Sequence, residues 1–410
     1  MTQTDVPALA PDLGLYKAHE LDPDSAVARA MALRPDRASM IDAYFRHVPT
    51  EDQPKTAQDV LAIVDGHWRV GQRRAPGEVK IRVFNPAPSG SDGALGWTDT
   101  KTVIDIVTDD MPSLVDSVIG ALTINNVTVH RVLHPILIST RDQDGVLQQV
   151  TGESGWSAES SLTFAESWMH ILIDRLSDAE RAELIEDKLR HALDYVRAVV
   201  GDAGALTAAA ATAAAELRGT FSPRSAQEVS ETADFLYWLI SGNMVFLGYS
   251  RYERHGDTTD PTLVRGSGLG ILRDAVLNSV DYHALTAAGP HPSHLLLTQA
   301  SAGSALTRDV PPFEVRARIL GPDGEITREH RFLGVLTPRA LNAEITTTPV
   351  LRLTVQSVLS TLGAAPDTYT GQRAMDLLAT YPRAELFWAP APLMVEVVGS
   401  VLQLASRLQN

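Results

Sequence analysis

Apolar residues recur at helical spacing in the first part of the chain. Val27, Ala30, Met31, Met40, Ile41, Tyr44 and Phe45 mark the stretch from Ser25 to Phe45. Pro35 interrupts it, so two short helices are predicted rather than one. Asp59 to Arg74 predicts a further helix with Val60, Leu61, Val64 and Trp68 on its apolar side, ended by Pro76-Gly77. The period then changes from 3.6 to 2. Val79, Ile81 and Val83 alternate with Lys80 and Arg82, which describes a half-buried strand from Glu78 to Phe84. A loop rich in Gly, Ser and Pro runs from Asn85 to Gly96, and Thr102 to Thr108 is a short β-branched strand. Met111 to Ile124 places Leu114, Val115, Val118, Ile119 and Leu122 on one helical face. An extended run from Val127 to Thr140 has Pro135 as a bend or edge position. Ser167 to Leu176 is the next strand, and Ser177 is positioned to cap a helix from about Asp178 to Val200, with Glu180 at capping-box spacing.

The order strand, helix, strand, strand, helix, with Glu78 to Phe84 as a fourth strand, builds one antiparallel sheet with two helices on one face. Ala205 to Arg218 has high helix propensity and a weak apolar face, and reads as a connecting helix, closed by Phe221-Ser222-Pro223-Arg224. A second mixed α+β unit follows. It has a helix from Ser225 to Ile240, a strand at Met244 to Arg251, and strands near Leu295 to Gln299, Phe313 to Leu320 and Glu329 to Thr337. The last two flank the hairpin turn Gly321-Pro322-Asp323-Gly324. Helical patterns at Pro349 to Leu362, Gly371 to Tyr381 and Leu393 to Leu408 close the chain, and the last reads as a connector toward further sequence. The expected division is 1–75, an N-terminal helical segment; 76–201, the first sheet domain; 202–224, an Ala-rich linker; 225–340, the second α+β domain; and 341–410, a helical connector. The fold class is α+β.

Composition narrows the function. The 410 residues hold 35 Lys and Arg against 50 Asp and Glu, a net charge of -15, which repels nucleic acid. Arg69, Arg73 and Arg74 form a small basic cluster, read as a solvated helix end. With no Cys, disulfides, thiolate ligands and thiol nucleophiles drop out, in keeping with a cytoplasmic location. Met1 to Pro11 has no secretory-signal pattern, the end up to Leu15 reads as untied, and no run of about 18 consecutive apolar residues predicts a membrane span.

Sites of chemistry are few. Gly266, Gly268 and Gly270 have the wrong spacing for a dinucleotide fingerprint, and no Lys follows as in a P-loop; an ordinary turn is expected. His130 and His134 share a strand face but lack a third ligand nearby. His170 reads as a partly buried structural residue. Ser113, Ser117 and His130 have no elbow motif around them. Trp156, Trp168, Trp238 and Trp388 read as core anchors. Asp109, Asp110 and Met111 form the strand-to-helix loop of the first sheet domain, with Asp110 the expected N-cap. As a function, that loop offers carboxylates to the ammonium of an amino-acid effector. No catalytic, cofactor-binding or metal-ligating residues are assigned.

Seven segments in series resemble the N-terminal region of the large bacterial NAD-specific glutamate dehydrogenases. They are DIVTDDMPSLVDSV (Asp105 to Val118), VHRVLHPIL (Val129 to Leu137), ESWMHILIDRL (Glu166 to Leu176), FLGY (Phe246 to Tyr249), GSGLGILR (Gly266 to Arg273), HRFLGVLT (His330 to Thr337) and ATYPRAELF (Ala379 to Phe387). The sequence departs from the pattern at Ser113, where the family usually has an aromatic residue, and at Ala384, where an acidic residue is usual. The resemblance implies that the first sheet domain is ACT-like and the second mixed domain PAS-like. It implies a regulatory and oligomerisation segment of an enzyme that oxidises L-glutamate to 2-oxoglutarate and ammonia with NAD. The catalytic and NAD-binding residues would lie outside this chain, which needs no cofactor of its own. Homo-oligomers and an amino-acid effector are the expected partners, with no nucleic acid and no membrane. The alternative is a stand-alone amino-acid-sensing ACT-type module.

Overall fold

A computed structural model describes residues 22–87, 97, 99–152, 162–220, 226–256, 261–273, 293–299 and 312–408. The expected untied end up to Leu15, most of the Gly-rich loop, Trp156 and the boundary at Phe221 to Arg224 lie outside the described residues. Contacts divide the chain into two units, residues 1–115 with 121–190 and residues 116–120 with 191–410.

The first unit begins with α1 (Ala26–Leu33), α2 (Ala38–Phe45) and α3 (Ala57–Gly71). Ser25 Oγ accepts from the Ala28 N–H and Thr56 Oγ1 from the Asp59 N–H, each at 3.1 Å, so two of the three helices start on hydroxyl caps. A turn of 3-10 helix at Pro35–Arg37 separates α1 from α2, as the proline predicted. An antiparallel sheet follows: β1 (Lys80–Phe84), β2 (Thr102–Asp109), β3 (Val129–Leu133), β4 (Ile136–Arg141), β5 (Leu147–Gly152) and β6 (Thr163–Ile173). Its order is β1-β2-β6-β4-β5, and β3 also pairs with β6. The single extended run predicted from Val127 to Thr140 is two strands broken at His134-Pro135, both on the same flank of β6. Proline removes a ladder donor there, and the Pro135 carbonyl accepts the Trp168 N–H at 3.1 Å instead.

The register pairs Asp105 with His170, Val107 with Trp168 and Asp109 with Glu166. These share one face; Ile104, Ile106, Met169 and Ile171 lie on the other. The first face carries α1 to α3, in one apolar cluster that joins Val27, Met40, Ile41, Phe45, Val60 and Val64 to Val103, Val107, Leu137 and Trp168. The expected ACT-like pair of helices, α4 (Leu114–Ile124) and α5 (Ala179–Gly219), is present, burying Leu114, Leu122, Ile185 and Leu189. What sequence reading set apart as an N-terminal helical segment thus packs as part of this unit.

Helix α5 runs 41 residues without the break expected near Gly201. The expectation that Ala205 to Arg218 merely connects is corrected, because Leu206, Ala210, Ala213, Ala214 and Leu217 are buried in the core of the second unit. By length and composition α5 is apolar enough to cross a membrane.

The second unit contains α6 (Ala226–Trp238), β7 (Met244–Glu253), β8 (Thr262–Leu263), β9 (Leu269–Gly270), β10 (Leu295–Gln299), β11 (Phe313–Leu320) and β12 (Ile326–Leu336). Then come α7 (Pro338–Leu341), α8 (Leu351–Thr361), α9 (Tyr369–Thr380), α10 (Arg383–Trp388) and α11 (Ala391–Leu408). The sheet order is β10-β11-β12-β7-β8, antiparallel, with β9 against β7. The predicted β11–β12 hairpin closes through Gly321, whose N–H reaches the Glu325 carbonyl at 2.8 Å, and Gly324 takes φ +80°. Phe235, Phe332, Leu351, Val358, Leu386 and Met394 share its core.

Candidate functional site

The loop that leaves β2 was the expected effector site, and the structure shows what its carboxylates do. Arg74, three residues past the end of α3, is completely buried rather than part of a solvated helix end; Arg69 and Arg73 are exposed as expected. Its guanidinium donates to Glu166 Oε1 from Nε at 3.1 Å and Nη2 at 2.6 Å, and Nη2 also reaches Asp109 Oδ1 at 2.7 Å. Arg141 on β4 grips the same carboxylate from the other side, at 2.7 and 2.8 Å. Trp168 Nε1–H adds a donor at 3.2 Å. Burial works to raise the Glu166 pKa, but Arg141 and Arg74 outweigh it and hold the group below the usual carboxylate range. The Asp109 carboxylate is engaged on both oxygens, since Oδ2 accepts the Gly77 N–H at 2.9 Å.

Asp110 is not the helix cap. The helix begins at Leu114 with Ser113 before it at φ +66°, and no side chain caps it. The Asp110 N–H extends the β2–β6 ladder to the Ala165 carbonyl at 3.0 Å. The chain needs left-handed backbone at Ser113 to turn into the helix, which takes Asp110 out of capping position. Asp110 is exposed and Met111 half-buried. Of the three expected loop residues, then, Asp109 ends β2 bonded to Arg74 and Gly77, and Asp110 and Met111 form the loop itself.

Sequence reading missed a second cluster on the same sheet face. Asp105 on β2 lies across from His170 on β6, and His170 Nδ1 is 2.7 Å from Asp105 Oδ1. His67, on α3, brings its Nδ1 to 3.7 Å from the same oxygen. His67 Nε2 lies 3.2 Å from the Ile106 carbonyl, and the Tyr44 hydroxyl hydrogen-bonds His67 Nδ1. His67, Asp105 and His170 are 0%, 1% and 2% exposed. Burial above all pushes the His67 pKa down to about 4, so the ring is neutral. A neutral ring that donates Nε2–H to a carbonyl must accept at Nδ1, so the Tyr44 O–H is the donor. Burial pushes the Tyr44 pKa up, and Asp105 adds to it. Burial would raise the Asp105 pKa too, yet His67 and His170 bring it below the usual range. One ligand-capable atom from each of His67, Asp105 and His170 lies within 4.8 Å of the others. One clue was legible: Asp105 is a lone charge inside TVIDIVT, and a charge in a buried strand requires partners.

The other sequence-flagged groups have separate roles. His130 Nε2 pairs with Asp174 at 2.6 Å, whereas His134 Nε2 meets Ser167 Oγ at 2.6 Å on β6. In the glycine-rich turn, Gly266 and Gly270 have φ of +75° and +58°. The Gly270 N–H is taken by Asp202 Oδ2 at 2.7 Å, which also binds Arg273. A carboxylate of the chain itself thus occupies the place where a phosphate-binding loop would present its amide.

Comparison with known proteins agrees with this architecture. Residues 40–189 match the family described as glutamate dehydrogenase, ACT1 domain, and residues 348–407 the one described as glutamate dehydrogenase, helical motif 1. NAD-specific glutamate dehydrogenase of Halomonas elongata is 29% identical over 91% of this chain and 24% of its own length. The proteins of the same name from Pseudomonas aeruginosa and Mycobacterium tuberculosis are 26% and 29% identical, each over 85% of this chain. These alignments cover 22% and 20% of the two relatives, so the chain spans a quarter or less of the curated relatives it matches. The chain belongs, as an N-terminal region carrying the ACT1 domain and the first helical motif, to the NAD-specific glutamate dehydrogenase family.

Proposed function

We propose that this chain is a regulatory and assembly region of an NAD-dependent glutamate dehydrogenase, and that the hydride chemistry is done by residues outside it. The observation that carries the reading is how the titratable groups of the ACT1 sheet are used. Asp109, Glu166, Arg74 and Arg141 are bonded to one another, and Asp105, His67 and His170 lie under three helices. General acid–base catalysis requires a group within hydrogen-bonding reach of substrate, and buried, mutually bonded groups instead fix a scaffold. NAD binds elsewhere in such an enzyme, and the region contributes through sheet edges and helices that join copies in a cytoplasmic homo-oligomer. The edge strands β1 and β5, with the exposed apolar residues Leu393, Val401 and Leu404 of α11, are surfaces suited to that.

Purified chain incubated with L-glutamate and NAD tests the division of labour. No NADH above the protein-free control is expected, and sustained turnover would contradict the proposal. A second reading, an amino-acid-sensing module, draws on the exposed Asp110 carboxylate beside Met111. It predicts that one amino acid of a panel raises the Tm, because a ligand that binds the native state alone stabilises it; a flat response across the panel would remove it.

A further inference from the structure

We propose that His67, Asp105 and His170 form a structural site for one divalent ion of the zinc class, with the Tyr44 hydroxyl as the fourth donor. Three separate elements deliver the ligands: α3 supplies His67, β2 supplies Asp105 and β6 supplies His170. The antiparallel register places Asp105 opposite His170, and α3 lays His67 over both.

The donor set suits such an ion. Imidazole nitrogen and carboxylate oxygen are ordinary zinc ligands, and a chain without Cys must build its zinc sites from them. His67 is already oriented as a ligand. Its Nε2–H is spent on the Ile106 carbonyl at 3.2 Å, so Nδ1, which accepts the Tyr44 O–H in this structure, is the atom a metal would take. Metal-bound histidines are typically held in this manner by a backbone carbonyl behind the ring. A divalent cation would also balance the Asp105 carboxylate, which is 1% exposed and would otherwise hold its charge in a dry core.

Distances set the adjustment required. Tetrahedral ligands at about 2.0–2.1 Å from zinc lie about 3.3 Å from one another. His67 Nδ1 and Asp105 Oδ1, at 3.7 Å, are near that spacing. His170 Nδ1 and Asp105 Oδ1, at 2.7 Å, would part by about 0.6 Å, within reach of a small side-chain rotation. All four donors being protein groups, the site would be closed, which makes it structural rather than catalytic. Its effect would be to fasten α3 to the centre of the sheet. The competing description satisfies the same atoms with protons alone, the Tyr44 O–H donating to His67 and the His170 N–H to Asp105.

Metal analysis of the full chain separates the two. Chain unfolded in chelator, then refolded with zinc or cobalt and freed of excess metal, should retain close to one equivalent. The cobalt form should show the visible absorption of a four-coordinate nitrogen and oxygen site, and the zinc form should melt higher than protein refolded without metal. Asp105→Asn and His170→Gln should each cut retained metal at least tenfold, whereas His130→Gln should retain it. Less than about a tenth of an equivalent in both refolded and natively purified wild type, with Tm indifferent to zinc, would overturn the proposal whether or not the variants fold. So would cobalt absorption that disappears in His130→Gln and persists in His170→Gln.

Discussion

Glu166 accepts five hydrogen bonds from Arg74, Arg141 and Trp168 with no solvent exposure. Removing its charge leaves two guanidiniums in the core without their shared partner, which typically costs about 3–5 kcal/mol. Glu166→Gln should therefore lower the urea midpoint far more than Glu186→Gln, which breaks an exposed one-turn pair with Arg190 worth roughly 0.5 kcal/mol. Equal midpoints would show that the buried cluster does not hold the unit together. Gly71 is a second sensitive position. A Cβ there would lie 2.3 Å from Trp168 Cη2, so Gly71→Ala should destabilise by roughly 1–3 kcal/mol in the same experiment, through overpacking of the buried indole.

His67 gives the stability a pH dependence of known sign. Its folded pKa is about 4 and its ordinary value 6.5, so between those values the unfolded chain binds a proton that the folded chain refuses. The stabilisation is complete above about pH 6.5 and declines as pH falls toward 4, with a loss on the order of 2 kcal/mol at pH 5. His330, also lowered chiefly by burial, acts in the same direction. The depressed carboxylates Asp105 and Glu166 lose their contribution only at lower pH, below their ordinary values of 3.8 and 4.5. In chelator-treated, metal-free protein the melting temperature recorded from pH 7.5 to 5 should fall; a flat profile would contradict a buried neutral His67.

At the scale of elements, periodicity predicted most strands and helices, because half-buried strands and amphipathic helices write their faces into the order of residues. The β11–β12 hairpin and the Pro35 break came through intact. Failures occurred where packing overrides local pattern. Ala205 to Arg218 looks like a connector because alanine gives no apolar contrast, yet Ala210, Ala213 and Ala214 are fully buried. Small side chains let other elements approach closely, and that is invisible in a hydropathy pattern. Ala213→Asp should thus cost several kcal/mol by burying an unpaired charge, while the same change at the exposed Ala208 should stay within about 0.5 kcal/mol. Similar circular dichroism melts for the two variants would restore the connector reading. At the start of α5 the expected cap also shifts, with Asp178 Oδ1 rather than Ser177 accepting the Glu180 N–H at 2.9 Å.

Across the whole molecule, the α+β class and the family were legible because seven motifs occur in order along the chain. The buried clusters were not. They join residues far apart in sequence, such as Arg74 with Glu166 and His67 with Asp105, and a single sequence does not state which positions meet across a sheet. Of the expected loop, Asp110 and Met111 lie between β2 and α4, whereas Asp109 is the last residue of β2. The ion pairing of Asp109 was not legible, because its partner Arg74 lies just past α3, 35 residues earlier. The proposed assembly role rests on the mutually bonded charges of the ACT1 sheet and on its outer strands β1 and β5.

Light scattering of the purified chain across a concentration series, coupled to size exclusion, measures that directly. A mass of two or more times 44.3 kDa that persists on dilution to low micromolar concentration is expected. A mass fixed at 44.3 kDa up to the highest soluble concentration would contradict the assembly role.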